Sequence, residues 1–400
     1  MRLNGNKEYA MDRPSQGNHR AEASRCQFLI YVHQKLRYSS VPEEIMRPTV
    51  HDIAANAGVS LATVDRVLNG RPGVRAVTRA RVEAAIRSLG YVRDMAAANL
   101  AKGRIYPLVF IVPAGENPFM RGLEAEVRAA VDRSAFERTR ISIVNVPPFD
   151  PAALVAAIDA AIAAGVAGIA AVAVDAPEVA AAICRARTAG IAFVTLVSDL
   201  ANSGRDHFCG VDNVAAGRTA GSLMARFLGA RPGPVAVLAG SMRVRDHRER
   251  LEGFRIMMAE AGGGRPVLDV LEGQDDPELA EALIAKCLEN NPDLAGIYSL
   301  GAGNGGLVAA LAAAGRDDLC VIAHELTAPT RAGLESGLID AVLNQDAGHE
   351  VRSAIRTLRA KADGLPVIEA QERIRIDIFI KENLPPESGV APPPAVPDEH

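Results

Sequence analysis

From Tyr106 onward, short apolar runs alternate with alanine-rich stretches of helical spacing. The runs are "PLVFIV" (107–112), "ISIVNV" (141–146), "GIAAVAV" (168–174), "IAFVTLV" (191–197), "PVAVLAG" (234–240), "PVLDVLEG" (266–273), "LAGIYSL" (294–300), "LCVIAHE" (319–325), "IDAVLNQD" (339–346) and "RIRIDIFI" (373–380). Between them lie segments such as "LVAAIDAAIAAG" and "ELAEALIAKCLENN". Strands that are apolar on both faces and separated by helices predict βαβ units with buried parallel sheets. The number of runs exceeds one ordinary doubly wound sheet, so two α/β lobes of similar design are expected over 106–384.

Ahead of this body the periodicity is different. "TVHDIAANAGVSLATVDRVLNG" (49–70) holds two short amphipathic stretches around one glycine. Thr49 can cap a helix that turns Val50, Ile53 and Ala54 inward. In "AGV", Gly58 can take positive φ at little cost. Ser60 can cap a second helix, Leu61–Leu68, with Val64, Val67 and Leu68 inward, and Asn69-Gly70 can stop it. "TRARVEAAIRSLGY" supplies a third helix, expected to be capped by Thr78 and ended by Gly90. Two helices on a glycine turn, braced by a third, form a helix-turn-helix over 46–93. Such a unit presents the first side chains of its second helix to the DNA major groove.

Charge supports that reading. Between Met46 and Ile105 ten basic residues face four acidic ones, whereas the whole chain carries −4, so the remainder carries about −10. A basic module on an acidic body points to a polyanion as the partner of the module alone. With 48% hydrophobic and 23% charged residues, the composition is that of a globular chain. The five cysteines (Cys26, Cys184, Cys209, Cys287, Cys320) have neither CxxC nor metal-ligand spacing, and are expected to be reduced thiols in a cytoplasmic protein. No apolar run reaches membrane-spanning length, and "CQFLIYV" (26–32) is too short for a signal-peptide core. Residues 1–45 are polar and aperiodic, and read either as a disordered tail or as an extension ahead of a start at Met46; the Pro-rich 385–400 reads as disordered.

The motifs "TVHDIAANAGVSLATVDRVLNG", "VTRARVEAAIRSLGYVRD" and "AAANLAKG" resemble those of the LacI (lactose repressor) family of transcription regulators, and the likeness extends by pattern from Arg47 to Leu384. The resemblance implies an N-terminal all-α helix-turn-helix with a hinge helix, followed by a two-lobed periplasmic-binding-protein-like α/β domain. It implies that Leu61 and Ala62 meet bases, that Arg66 reads guanine one turn on, and that Thr49, Thr63 and Asn69 lie near phosphates, with Ser60 as the cap. Asp65 stands where many members carry a small hydroxyl residue, and is expected to orient Arg66. "DMAAANLAKGR" (94–104) resembles the family hinge. There Leu100 would wedge into the minor groove beside its dimer mate, and Ala97 would allow close helix approach. A homodimer on pseudo-palindromic double-stranded operator DNA follows. No leucine heptad succeeds Ile380, so a tetramerising tail is not expected.

For the body, the resemblance implies a small-molecule effector held between lobes at strand ends. Carried over one at a time, the residues are Asn117 and Phe119 in "ENPFM", Asp175 after the third run, Arg248 in "RDHRERLEGF", Asn304, Glu325 and Gln345. Such a mixture of amides, carboxylates and a guanidinium suits a sugar or polyol, because each hydroxyl both donates and accepts. Phe119 is the one clear aromatic platform among them. No metal site or cofactor is expected.

"GAGNGG" (301–306) has the form of a dinucleotide fingerprint, with Glu325 downstream. It lies late in the chain rather than at a first βα turn, and in a two-lobed body it would border the effector cleft. Two further readings therefore stand beside the ligand-responsive repressor of carbohydrate or polyol genes. One is a periplasmic-type sugar carrier, which the helix-turn-helix disfavours. The other is an NAD-dependent enzyme, resting on the glycine motif alone. No Ser/His/Asp set, HExxH or Walker motif appears, so the chain is read as a non-enzyme.

Overall fold

The computed structural model describes residues 48–92, 103–134, 138–261, 264–301 and 303–386. These fall into two compact units, one ending before and one beginning after residues 93–102. Ala97 and Leu100, the two hinge residues expected to reach the minor groove, lie outside the described residues.

The first unit contains α1 (Val50–Ala57), α2 (Leu61–Leu68) and α3 (Ala76–Leu89). At the start of α1, Thr49 and Asp52 form a reciprocal capping box: the Asp52 amide donates to Thr49 Oγ1 at 3.4 Å and the Thr49 amide donates to Asp52 Oδ2 at 2.7 Å. The hydrogen bonds from Thr49 hold the Asp52 carboxyl below its ordinary range. Gly58 takes φ +60° and lets the chain turn into α2, whose cap Ser60 accepts from the Thr63 amide at 3.3 Å. Ile53, Ala54, Ala57, Val64, Val67, Val82 and Ala85 form the core. Three sequence expectations shift. Val50 is 37% exposed, Leu68 is only partly buried, and α3 starts at Ala76 with Arg75 as an uncapped N-cap, which places Thr78 inside the first turn. Gly90 ends α3 at φ +62°.

The second unit holds two sheets. The first is built from β1 (Tyr106–Pro113), β2 (Thr139–Val146), β3 (Gly168–Ala171), β4 (Ala192–Leu196) and β5 (His207–Cys209), in spatial order β2-β1-β3-β4-β5, all parallel. Its crossovers are α4 (Pro118–Ser134), α5 (Pro151–Ala163) and α6 (Pro177–Thr188). The chain then passes through α7 (Asn213–Leu228) into a second sheet. That sheet comprises β6 (Val235–Ala239), β7 (Val267–Glu272), β8 (Gly296–Ser299), β9 (Cys320–His324), β10 (Ala341–Gln345) and an antiparallel edge strand β11 (Ile376–Phe379). Its order, β7-β6-β8-β9-β10-β11, repeats the winding of the first sheet and adds one strand. Helices α8 (Arg245–Glu260), α9 (Pro277–Asn290), α10 (Asn304–Ala314) and α11 (Ala328–Ser336) connect these strands. After β10, α12 (Ala347–Ala362) returns to the first lobe, and the short α13 (Glu369–Glu372) precedes the last crossing to β11. The lobes are thus joined three times.

Alternation along β1 shows why its run is continuously apolar. Leu108, Phe110 and Val112 pack on the face covered by α4 and α12, while Val109 and Ile111 pack on the face covered by α5 and α6. The second sheet is likewise enclosed on both faces. Each of the ten apolar runs overlaps a strand. β5 has no counterpart among those runs: its three residues, His207-Phe208-Cys209, carry no apolar run to mark them. Three of the four described cysteines are buried, and burial pushes the Cys209 and Cys320 thiols up to about 12, which makes them poor nucleophiles.

Candidate effector cleft and DNA-reading face

In an open α/β sheet, strand order reverses at a switch point, and the loops leaving the strands there splay apart to form a crevice. The two switch points are β1/β3 and β6/β8. A cleft opens at both. From the first lobe it is lined by Asn117, Phe119, Phe149 and Ser198, and from the second by Asp246, His247, Arg250, Asp275 and Glu325. A neighbouring cavity is lined by Asn304 and Gly303 and shares Asn117, Phe119, Asp275 and Gly301 with the cleft.

Arg250 is the centre of the cleft floor, at 1% exposure. Its Nε donates to Asn213 Oδ1 at 2.8 Å, one terminal nitrogen to the Leu300 carbonyl at 2.7 Å, and the other to Glu325 Oε1 at 3.1 Å. Gln345 donates from Nε2 to the same Glu325 oxygen at 2.8 Å. Burial pushes the Glu325 carboxyl up, and the Arg250 charge partly restrains it. Next to this pair, Tyr298 and His324 share a hydrogen bond of 2.8 Å, and burial holds the imidazole pKa well down, so that ring is neutral. On the opposite wall Asn117 has two roles. Its Oδ1 accepts from the Phe119 amide at 3.0 Å and starts α4, while its Nδ2 donates across the lobes to Asp275 Oδ2 at 3.0 Å.

Backbone strain collects at the same place. Phe149, Val197, Asp275 and Glu325 all line the cleft with positive φ (58°, 60°, 59° and 68°). For the β-branched Val197 and the bulky Phe149 this region is unfavourable, and such residues cluster where a site is preorganised.

In the first unit, α2 turns one face outward. Leu61 is 42% exposed, Ala62 and Arg66 are exposed, and Thr63 and Asn69 are half-buried. Apolar side chains left in water at the first turn of a helix suit thymine methyls, and an exposed guanidinium one turn on suits guanine. Asp65 does not orient Arg66. It accepts from Asn69 Nδ2 at 2.6 Å and pairs with Arg71 at 3.2 Å, because Asn69 and Arg71 lie beyond the C-terminal end of α2 and can fold back over it.

Residues 108–366, well over half the chain, match the family described as periplasmic binding protein domain. The chain belongs to that family. Its front, residues 49–94, matches the bacterial regulatory proteins of the lacI family. Among curated proteins, the regulator MalR of Streptomyces coelicolor is 43% identical over 91 residues, which is 23% of this chain and 26% of that protein. The ribose operon repressor of Escherichia coli is 37% identical over 90 residues, covering 22% and 26%. The chain therefore spans about a quarter of the length of the curated relatives it matches. Among solved structures, a Burkholderia graminis solute-binding protein in complex with D-arabinose superposes with TM-score 0.63 at 23% identity, covering 70% of this chain and 97% of that one. A glucose-galactose binding protein from Geobacillus stearothermophilus gives 0.63 at 20%, covering 70% and 99%. At these identities the structures establish the fold alone: two lobes of the periplasmic-binding type.

Within this binding-protein domain, Asn117, Phe119 and Glu325 line the main cleft and Asn304 the adjoining cavity. Asp175, Arg248 and Gln345 do not line either. Arg248 is partly exposed, pairs with Asp175, and donates to the Met242 and Arg243 carbonyls at 2.9 Å, forming a second link between the lobes. Gln345 lies behind Glu325 and positions it. The arginine that reaches the cleft is Arg250, and helical spacing explains why. Leu251, Phe254 and Met258 mark the inward face of α8, and Asp246, His247 and Arg250 share it one turn earlier, whereas Arg248 points away. That apolar spacing was a usable signal for Arg250. Asp275 and Phe149 had none, since both sit in loops at unusual backbone angles.

Two glycines of "GAGNGG" have a packing cause. A Cβ at Gly306 would lie 2.1 Å from the Pro277 carbonyl oxygen, and one at Gly303 would lie 2.8 Å from Ala280 Cβ. These two let α10 approach α9. Among the described residues no helix is long and apolar enough to cross a membrane, and no cluster of metal-ligating side chains occurs.

Proposed function

We propose that the protein is a ligand-responsive, DNA-binding transcriptional regulator of carbohydrate or polyol genes, acting as a cytoplasmic homodimer on pseudo-palindromic operators and having no enzymatic activity. The observation that carries this reading is the pairing, in one chain, of a lacI-type helix-turn-helix whose α2 leaves Leu61, Ala62 and Arg66 exposed with a two-lobed cleft at paired switch points. The cleft's aromatic walls, amide and carboxylates suit a sugar or polyol, and the curated relatives include a ribose operon repressor. A ligand touching both lobes favours the closed arrangement, and DNA affinity changes by the ligand's differential affinity for the two arrangements, typically about 1–3 kcal/mol.

Footprinting of the full chain on the DNA upstream of its own gene, with and without a sugar and polyol panel, tests the proposal. Two symmetric half-sites and a ligand-dependent shift in affinity are expected; a single asymmetric half-site, or no protection, would overturn it. Arg66→Ala should weaken specific binding by about 1–3 kcal/mol and relax preference at one base pair per half-site, with little change on random DNA. Equal loss on specific and random DNA would show that Arg66 contacts phosphate only.

A further inference from the structure

Four carboxylates line the cleft, and two of them are accounted for. Asp150 accepts the Ala152 and Ala153 amides at the start of α5, and Glu325 is paired with Arg250. Asp246 and Asp275 are different. The Asp246 side chain is 9% exposed, its Oδ1 has no hydrogen-bond partner, and its Oδ2 lies 3.8 Å from His247 Nε2, beyond hydrogen-bonding reach. Asp275 receives one bond on Oδ2 from Asn117, and its Oδ1 has none. Ser198 Oγ, on the opposite wall in a residue 2% exposed, also lacks a partner.

All three orphaned oxygens can accept, and a buried acceptor without a donor is costly. A neutral hydroxyl supplies a hydrogen bond but adds no counter-charge for the two carboxylates in a site whose one guanidinium is already committed and whose nearest histidine nitrogen, His247 Nε2, stands 3.8 Å from Asp246. An ammonium group brings three N–H donors and a charge, and bonds between ions are roughly twice as strong as neutral ones. Burial pushes the Asp275 carboxyl up and the Asp246 charge adds to this, while the Asn117 hydrogen bond and His247 oppose it. The Phe119 and Phe149 rings provide faces for a ring or a cation.

We infer that the effector is a polyhydroxyl compound bearing a protonated amine, an amino sugar or amino polyol, with its ammonium against Asp246 and Asp275. This rests on the sugar-or-polyol reading and narrows it.

Calorimetry on the full chain with matched pairs, glucose against glucosamine and galactose against galactosamine, with putrescine as a sugar-free amine, tests it. At least one amino member should bind ten-fold or more tightly than its neutral partner. Asp246→Asn and Asp275→Asn should each erase that preference, lowering the amino member's affinity by a larger factor than that of its neutral partner. Using two isosteric variants keeps the test open if one fails to fold, as judged by its melting transition. Neutral sugars binding as well as or better than amino sugars would overturn the amine and leave the sugar reading standing. Putrescine binding alone, with sensitivity to Asp246→Asn, would support the ammonium contact and overturn the polyhydroxyl reading. An amine preference that survives both substitutions, or no binding by any compound, would overturn the assignment.

Discussion

Arg250→Ala should destabilise the two-lobed domain by about 3–5 kcal/mol, the range for removing one partner of a buried ion pair. The loss has three sources: Glu325 is left charged and buried, the Leu300 carbonyl loses a donor, and Asn213 loses the donor to its Oδ1. The pH dependence has a definite sign. Burial already raises the Glu325 carboxyl above its ordinary value, and removing Arg250 takes away a charge that restrains it. A raised folded-state pKa means that the contribution is fully present below the unfolded value and is lost as pH rises through the folded one. The deficit of the variant should therefore be greatest at neutral pH and shrink toward the acid range. Urea unfolding across pH measures this. Adding Glu325→Gln should restore part of the loss at neutral pH, because a neutral amide leaves no buried charge behind. An unchanged midpoint in Arg250→Ala, or a double variant weaker than the single, would refute the account.

Gly217→Ala should cost about 3 kcal/mol or more. Helices α7 and α8 touch backbone to backbone: a Cβ at Gly217 would lie 1.9 Å from the Arg250 carbonyl oxygen, and one at Gly253 would lie 2.1 Å from that of Val214. Alanine is the better helix former by about 1 kcal/mol, which opposes the effect, but the clash is with backbone that cannot rotate aside. Displacing α8 also moves Arg250 from its partners, so ligand binding should fall with stability. Gly122→Ala, on the exposed face of α4 with nothing within 4 Å of the added carbon, is the control and should stabilise by about 0.5–1 kcal/mol. Similar melting temperatures for the two variants would mean that α7 and α8 are not in the contact described.

Architecture was legible in this sequence because periodicity reports burial directly. The β1 run is apolar at every position because both faces are covered, and Gly58 was readable because a two-helix turn needs a positive φ there. Site residues were legible only where a regular element carried them. Asn117 and Phe119 start α4 and Glu325 follows β9, and all three line the cleft. On α8 family likeness points to Arg248, whereas the spacing of Leu251, Phe254 and Met258 marks Arg250 as the inward residue. Asp275 and Phe149 depend on strained loop backbone, which no local pattern announces. Thr78 was misplaced because capping residues are interchangeable in sequence until the helix start is known.

The late return of α12 to the first lobe has a consequence during synthesis. Val351, Ala354, Ile355 and Leu358 help cover the face that carries Leu108, Phe110 and Val112, some 240–250 residues earlier in the chain. As the polypeptide leaves the ribosome, the first sheet can assemble its strands, yet part of that apolar face stays uncovered until α12 emerges. The second lobe gains its edge strand, β11, later still. Neither lobe is a finished product of the chain's first half. A nascent protein halted between Cys209 and Asp346 would present exposed core to chaperones, and a premature stop before α12 should yield an aggregating fragment rather than a stable first lobe.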